Sequence, residues 1–344
     1  MSYSSVEICA GGGGQALGLE MAGFDHQALV EYEPQFCATL RQNRPNWNTI
    51  QEDVRNFDAS KFRGIDLLAG GVPCPPFSIA GKQLGADDTR DMFPSALSIV
   101  KQMKPRAVLF ENVSGFASAR FEHYRNDLMA ELARLGYQPE WKLLQAAKYG
   151  VPQLRPRFVL VALKPADVKY FEWPEETGPH RGVGETLVEL MGENGWAGAE
   201  KWALRAAGIA PTIVGGSKLH GGPDLGPTRA KEQWRKMGVD GMGIANAAPD
   251  ENFPEDANPR LTVKMVARLQ SFPPEWEFSG KKTVAYRQVG NAFPPLVARA
   301  VGLAIRRALS GSRKPAGRLA VENGAMRLLE TPPKKRPRQA ARRS

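Results

Sequence analysis

Val6-Glu7-Ile8-Cys9-Ala10 runs directly into Gly11-Gly12-Gly13-Gly14, and Gln15 to Ala22 follows with apolar residues at Ala16, Leu17, Leu19 and Met21. An apolar run, a glycine turn and a second apolar stretch predict strand, turn and helix. Glycines let a ligand approach the backbone closely, and the N-terminus of the next helix favours polar or anionic groups. Ala28-Leu29-Val30 predicts a second short strand, ending in Glu31-Tyr32-Glu33. Glu31 lies 20 residues after Gly11, the distance at which an acid in such a unit takes the two ribose hydroxyls. The pattern points to a nucleoside-containing cofactor and suits NAD, FAD and S-adenosylmethionine equally. A third strand near Thr49-Ile50 leads to Glu52-Asp53-Val54, where an acid can reach an adenine amino group.

The next apolar run, Ile65 to Ala69, delivers Gly70-Gly71-Val72-Pro73-Cys74-Pro75-Pro76-Phe77-Ser78. Prolines fix φ and remove N–H donors, so this loop is stiff and not helical. A stiff loop at the carboxyl end of a strand is where open α/β sheets place ligands. A lone cysteine is more often a buried structural thiol; the flanking prolines and the motifs in the rest of the chain make Cys74 a candidate nucleophile. Phe93 to Met103 predicts a helix ended by Pro105, and Ala107-Val108-Leu109-Phe110 a buried strand that delivers Glu111-Asn112-Val113. Neighbouring strand ends lie about 5 Å apart, so Cys74 and Glu111 can converge on one substrate. A helix over 120–135 and a strand over 141–144 come next. Gln153-Leu154-Arg155-Pro156-Arg157 then enters the buried run Phe158 to Ala162. Two arginines entering a buried strand need carboxylates, phosphates or bases as partners.

From about Phe171 the texture changes. Residues 172–258 are rich in Gly, Pro and charge, with little periodicity, and predict a separate, loop-rich module. Glycines stand at Gly215-Gly216 and Gly221-Gly222, with Lys218, Arg229, Lys231, Arg235 and Lys236 around them. Regularity returns with a short helix over 262–269. Tyr286 to Asn291 leads to Pro294-Pro295, and a helix over 296–309 begins after these prolines, which suit a helix start.

A chain of 344 residues suits one large domain plus a smaller one. No apolar run approaches the roughly 20 residues of a membrane span, and residues 1–5 carry no basic n-region. Cys9, Cys37 and Cys74 form neither a disulfide framework nor a zinc pattern. The formal net charge is +10, and residues 311–344 hold ten basic side chains against Glu322 and Glu330, so eight of those charges sit in a tail without apolar period. Such a tail is expected to be disordered and to favour a polyanion partner.

Together these motifs resemble, in their order, the DNA (cytosine-5)-methyltransferases of bacterial restriction–modification systems. The motifs are Ala10 to Gly14, Glu31, Asp53-Val54, the Pro73-Cys74 loop, Glu111-Asn112-Val113, Gln153-x-Arg155-x-Arg157, 260–274 and Gln288-x-Gly290-Asn291. The resemblance spans nearly the whole chain before the tail. It departs at Glu7, where the family has Asp, and at Cys9, where it has the Phe that packs on adenine; Pro75 stands where glutamine is common.

The resemblance implies an α/β, Rossmann-like methyltransferase fold with a mixed sheet and a smaller recognition domain. The expected division is a catalytic domain over 1–170, a target recognition domain over 171–280, a helix over 281–310 completing the first, and the tail over 311–344. S-adenosylmethionine is the implied cofactor, held by Ala10, Gly11, Gly13, Gly14, Glu31, Tyr32, Asp53, Val54, Pro73 and Asn291. Cys74, Glu111, Arg155 and Arg157 are the implied catalytic residues, acting on a cytosine flipped out of duplex DNA. Ser78, Thr212, Ile213, Lys218, Arg229 and Arg235 are expected to recognise the DNA. The resemblance also implies a cytoplasmic bacterial monomer and a partner restriction endonuclease of the same site. A tRNA cytosine-5 methyltransferase and a catalytically inactive DNA-binding regulator are the competing readings.

Overall fold

The computed structural model describes residues 2–73, 91–177, 181–216 and 223–312. Cys74, Ser78, Lys218 and the basic tail beyond Ser312 lie outside the described residues. The first half runs β1 (Tyr3–Ile8), α1 (Gly14–Met21), β2 (Phe24–Glu31), α2 (Pro34–Asn43), β3 (Thr49–Gln51), β4 (Leu67–Gly70), α3 (Phe93–Met103), β5 (Ala107–Val113), α4 (Glu122–Arg134), β6 (Gln138–Gln145) and β7 (Pro156–Leu163). The strands form one sheet in the order β3-β2-β1-β4-β5-β7-β6. β1 to β5 are parallel, and β7 is antiparallel to both its neighbours. The strand order reverses between β1 and β4, and ligands of open α/β sheets bind at such a switch point.

All four β4 residues are buried, as befits a central parallel strand covered on both faces. β2 begins four residues before the apolar run predicted for it, because its first half alternates. Phe24 and His26 point inward while Asp25 and Gln27 face water. The buried His26 ring lies 2.8 Å from the Ser5 hydroxyl and 2.8 Å from the Ala16 carbonyl oxygen, which satisfies its polar atoms where sequence alone shows only an exception to the pattern.

The second half runs α5 (Pro165–Val168), α6 (Val183–Met191), α7 (Ala199–Arg205), α8 (Thr228–Lys236), α9 (Val263–Leu269), α10 (Lys282–Asn291) and α11 (Pro295–Leu309). The stretch 172–258, expected to be loop-rich, carries three short helices, α6, α7 and α8, with irregular segments between them. α8 has one fully buried residue, Trp234, so its sequence carries no apolar period. α6, α7 and α9 join a core cluster that also contains Ala10, Leu17, Leu40 and Trp47, so the apolar interior runs without a break from the sheet into this segment.

α11 packs along α1. A Cβ on Gly18 would lie 2.4 Å from the Pro295 carbonyl oxygen and one on Gly302 2.8 Å from the Ala22 Cβ. Only glycine permits this approach, and it brings the C-terminal helices back to the glycine turn that follows β1.

Candidate active site

The carboxyl ends of β1 to β5 open on one cavity of about 490 Å³, a volume suited to a cofactor-sized ligand. β1 and its turn contribute Glu7, Cys9, Ala10, Gly11, Gly12 and Gly14, and α1 contributes Gln15. β2 gives Glu31 and Tyr32, and the segment after β3 gives Glu52, Asp53, Val54 and Arg55. Gly71, Pro73 and Glu111 close one side, and Gln288, Asn291 and Phe293 another. Gly11 has φ +57° and a Cβ there would meet nothing within 4 Å. Its conformation requires glycine; space does not.

Of the residues expected to hold the cofactor, Gly13 alone is absent from this lining. It has φ +87°, and a Cβ on it would lie 2.7 Å from the Trp276 ring. Gly13 thus packs closely against Trp276 where α1 starts. Glu31 is buried and accepts from the Gly11 N–H at 2.7 Å and the Glu33 N–H at 2.8 Å. Burial pushes its carboxyl up while those N–H groups pull it down. Each carboxylate oxygen keeps a further lone pair for a ligand. Asp53 is held in a bidentate pair by Arg55 at the rim, which lowers its carboxyl.

Cys9, in the place of the family's aromatic residue, has φ +53°, in the left-handed region that L side chains rarely adopt. Burial and the neighbouring Glu31 and Asp53 push its thiol far up, which disfavours the thiolate. Phe36 and Tyr32 are the aromatic side chains that line the cavity at this end.

The cavity is rich in carboxyl groups. Five acids line it against one arginine, Arg55. Among the described residues, four buried polar atoms of its lining have no hydrogen-bond partner: Oε2 of Glu7, both amide atoms of Gln15 and Oε1 of Glu111. Unpaired buried polar atoms are costly, and the ammonium and carboxylate of the amino-acid group of S-adenosylmethionine would pair with those of Glu7 and Gln15. The sequence signalled Glu7 only as a departure, and Gln15 not at all. Among the described residues no group of three His, Cys, Asp or Glu could hold a metal ion.

Beside Gly71, and at the end of β5, stands Glu111. On the antiparallel β5–β7 pair Glu111 faces Val159 and Val113 faces Arg157, so Glu111 and Arg157 are diagonal neighbours on one face of the sheet. Arg157 Nε lies 2.9 Å from Glu111 Oε1, with both side chains more than 90% buried. Burial pushes the Glu111 carboxyl up and Arg157 opposes it. A Cβ on Gly71 would lie 3.4 Å from Glu111 Oε2. The Asn112 amide donates to the Val72 carbonyl at 2.8 Å, and the Met92 N–H donates to the Pro73 carbonyl at 3.2 Å. The chain just before Cys74 is thereby pinned next to Glu111.

Arg155 is elsewhere. It is 1% exposed, and its guanidinium donates to the carbonyls of Ile213 at 2.5 Å, Gly290 at 2.7 Å and Ala292 at 3.0 Å. Arg155, expected to be catalytic, thus ties three segments together through their carbonyls. Ile213, expected to meet DNA, lies beside it. It is fully buried, its N–H donates to Gln153 Oε1 at 2.9 Å, and its carbonyl is held by Arg155. The Thr212 hydroxyl donates to the Leu154 carbonyl at 2.5 Å. Arg229 and Arg235 are both exposed on α8, and Arg235 pairs with Glu232 through two bonds of 3.0 and 2.8 Å.

Residues 3–307 match the family model described as C-5 cytosine-specific DNA methylase. The chain is 56% identical over 313 residues to the Type II methyltransferase M.NaeI of Lentzea aerocolonigenes, covering 90% of this chain and 76% of the relative. It is 53% identical over 318 residues to the Type II methyltransferase M.NgoMIV of Neisseria gonorrhoeae, covering 90% and 99%. The fold is similar to that of a Spodoptera frugiperda DNMT2 mutant at a TM-score of 0.62 and 17% identity, over 90% of this chain and 100% of the other.

Proposed function

The chain belongs to the C-5 cytosine-specific DNA methylase family and is a DNA (cytosine-5-)-methyltransferase using S-adenosylmethionine, and we propose that Cys74, Glu111 and Arg157 carry its chemistry. When bound, the cofactor supplies an electrophilic methyl group on a cationic sulfur. Glu31, Asp53, Gln15 and Asn291 would hold it.

C5 of cytosine is too weak a nucleophile to take that methyl unaided. The Cys74 thiolate adds to C6, and the displaced electron pair raises the density at C5. Glu111 hydrogen-bonds N3 and the exocyclic amine and supports protonation at N3 as charge builds there. Burial raises its carboxyl above the ordinary value, against the pull of Arg157. Arg157 takes O2 of the base and keeps Glu111 in place. After methyl transfer the C5 proton leaves to a base, the electrons of that C–H bond re-form the ring double bond, and the thiolate departs. The observation that carries this reading is the buried Glu111–Arg157 pair beside the segment that leads to Cys74.

Duplex DNA is the substrate on which such Type II enzymes act. We assign residues 1–170 and 281–310 to catalysis and 171–280 to target recognition, with the DNA between them. A monomer is in keeping with one complete cavity per chain, and the Type II relatives support a partner endonuclease of the same site in a bacterial cytoplasm. Among the described residues no helix is long and apolar enough to cross a membrane.

The test uses duplex DNA bearing 5-fluorocytosine at the target. Fluorine cannot leave as the C5 proton does, so an adduct that survives denaturation is expected with the wild type and none with Cys74→Ala. Normal methylation by Cys74→Ala would sink the assignment. Labelled methyl groups appearing in tRNA and not in duplex DNA would favour the RNA reading.

A further inference from the structure

The segment Ile213 to Gly216, inside the proposed recognition region, does not rest on its own module. It is seated on the end of α10, where the cofactor cavity gets one of its walls. A Cβ on Gly290 would lie 2.4 Å from Gly215 Cα and 2.5 Å from Gly215 N. A Cβ on Gly215 would lie 2.6 Å from Asn291 Oδ1 and 2.7 Å from the Arg287 carbonyl oxygen. Backbone touches backbone here, and neither glycine can gain a carbon without a shift. The Asn291 amide then donates across the seam to the Gly216 carbonyl at 3.2 Å.

The seam is braced from behind. Arg155 holds Ile213 on one side and Gly290 and Ala292 on the other. Gln153 holds Ile213 N–H and reaches Gln270 Oε1 at 3.1 Å, and the Gln270 amide donates to the Val289 carbonyl at 2.9 Å. Gln153, Arg155 and Gln270 are all buried. A buried network of this kind fixes one arrangement, because any displaced member leaves polar groups unpaired.

Asn291 is the shared element. It lines the cofactor cavity, while its side chain is in contact with Gly215 and bonded to Gly216. Gly215 itself does not line that cavity.

We propose that Gly215 is a positioning residue for the cofactor site: by seating the 213–216 segment against Gly290, it sets the Asn291 side chain at the wall of the cavity. This rests on the assignment of the cavity to S-adenosylmethionine. It makes the segment leading to the DNA-reading loops a structural part of the cofactor site.

The test measures binding of S-adenosylhomocysteine by calorimetry, without DNA, for the wild type, Gly215→Ala, Asn291→Ala and the double variant. Gly215→Ala is expected to weaken binding about tenfold, within the range of coupling between residues in contact, at a melting temperature that keeps the protein folded at 25 °C. The double variant is expected to bind no more weakly than Asn291→Ala alone, because Gly215 acts through Asn291. Unchanged affinity in Gly215→Ala, or losses that add in the double variant, would overturn the proposal. A purely local packing role lowers the melting temperature and leaves the affinity alone. Should Gly215→Ala not fold, amide exchange in the wild type decides. The ligand should slow exchange in a peptide covering 212–216, and unchanged exchange there would refute the proposal. A wild type that does not bind the ligand would instead refute the cofactor assignment.

Discussion

Glu111 and Arg157 stand 2.9 Å apart in a buried corner of the sheet, yet the contact is not aligned as a hydrogen bond, and among the described residues neither Glu111 Oε1 nor Arg157 Nε has another such partner. The two are close enough to hold each other's charge and keep polar atoms unengaged. A base entering the site can therefore take hydrogen bonds from both without breaking a formed one. Such a pair is prepared for a planar ligand with several acceptors and donors on one edge.

Glu111→Gln keeps the shape and removes the acid. Loss of a positioned proton donor is expected to lower the methyl-transfer rate about 10²- to 10⁴-fold. Arg157 is left buried without its counter-charge, which should also cost on the order of 3–5 kcal/mol of stability. Single-turnover kinetics and chemical denaturation measure the two effects separately. A rate within twofold of wild type would remove Glu111 from the chemistry.

Glu7 predicts a pH dependence of stability. Burial pushes its carboxyl well above the ordinary 4.5; Glu31 and Glu111 add to this, and the Ala16 N–H opposes it. The folded state then keeps a proton that the unfolded chain has released. Glu7 therefore contributes a stability loss that begins as pH rises past the ordinary carboxyl value and is complete above the raised one. Glu7→Gln mimics the protonated form, so its melting temperature should fall less than that of wild type between pH 5 and pH 8. Parallel profiles would mean that Glu7 is not held neutral.

Arg155→Lys separates positioning from chemistry. A lysine cannot fork to the carbonyls of Ile213, Gly290 and Ala292. Leaving buried carbonyls unpaired costs about 1–3 kcal/mol each, and thermal denaturation should show it. At a temperature where the variant is folded, the fluorocytosine adduct should still form. Loss of the adduct in a fully folded variant would return Arg155 to the catalytic group.

The basic tail predicts a salt effect. Residues 313–344 carry all ten of the basic side chains placed in the tail. Removing them should lessen the slope of log K for DNA against log[salt], by about 0.9 for each phosphate they neutralise, without changing the methylated site. An unchanged slope would give the tail another task.

How far the sequence disclosed the fold and the site depends on the range of the interactions involved. α3 is observed at the predicted bounds, Phe93–Met103, because its apolar period and its prolines are local signals. The adjacency of β4 and β5 was legible because buried parallel strands read as continuous apolar runs. The pocket's acids Glu31, Asp53 and Glu111 were legible from their places after strands. α8 was hidden, since a helix with one buried side chain has no period to read. The packing of Arg155 and Gly13 was hidden for a different reason. Their neighbours Gly290 and Trp276 are more than 100 residues away in the chain, and nothing local tells a guanidinium bound for backbone carbonyls from one bound for a base.

The choice of DNA site is expected to reside in residues 172–258, and α8 gives that expectation a sharper form than sequence did. Arg229 and Arg235 lie on one helix and are both exposed, but they differ in partners. Arg235 is engaged twice by Glu232; Arg229 has no ion-pair partner among the described residues. A guanidinium already in a fork with a carboxylate must break that fork to take guanine, whereas an unengaged one is free for bidentate contact. Arg229→Ala should therefore cost roughly 1–3 kcal/mol on the cognate site and relax one position. Arg235→Ala should weaken binding to all duplexes alike, as loss of a phosphate contact does. Bisulfite sequencing of random DNA after methylation reads the first outcome, and binding to unrelated duplexes reads the second. A chimera carrying a foreign 172–258 segment supplies the control for both. If that chimera is active and still methylates the original site, specificity lies outside the segment and neither arginine reads it.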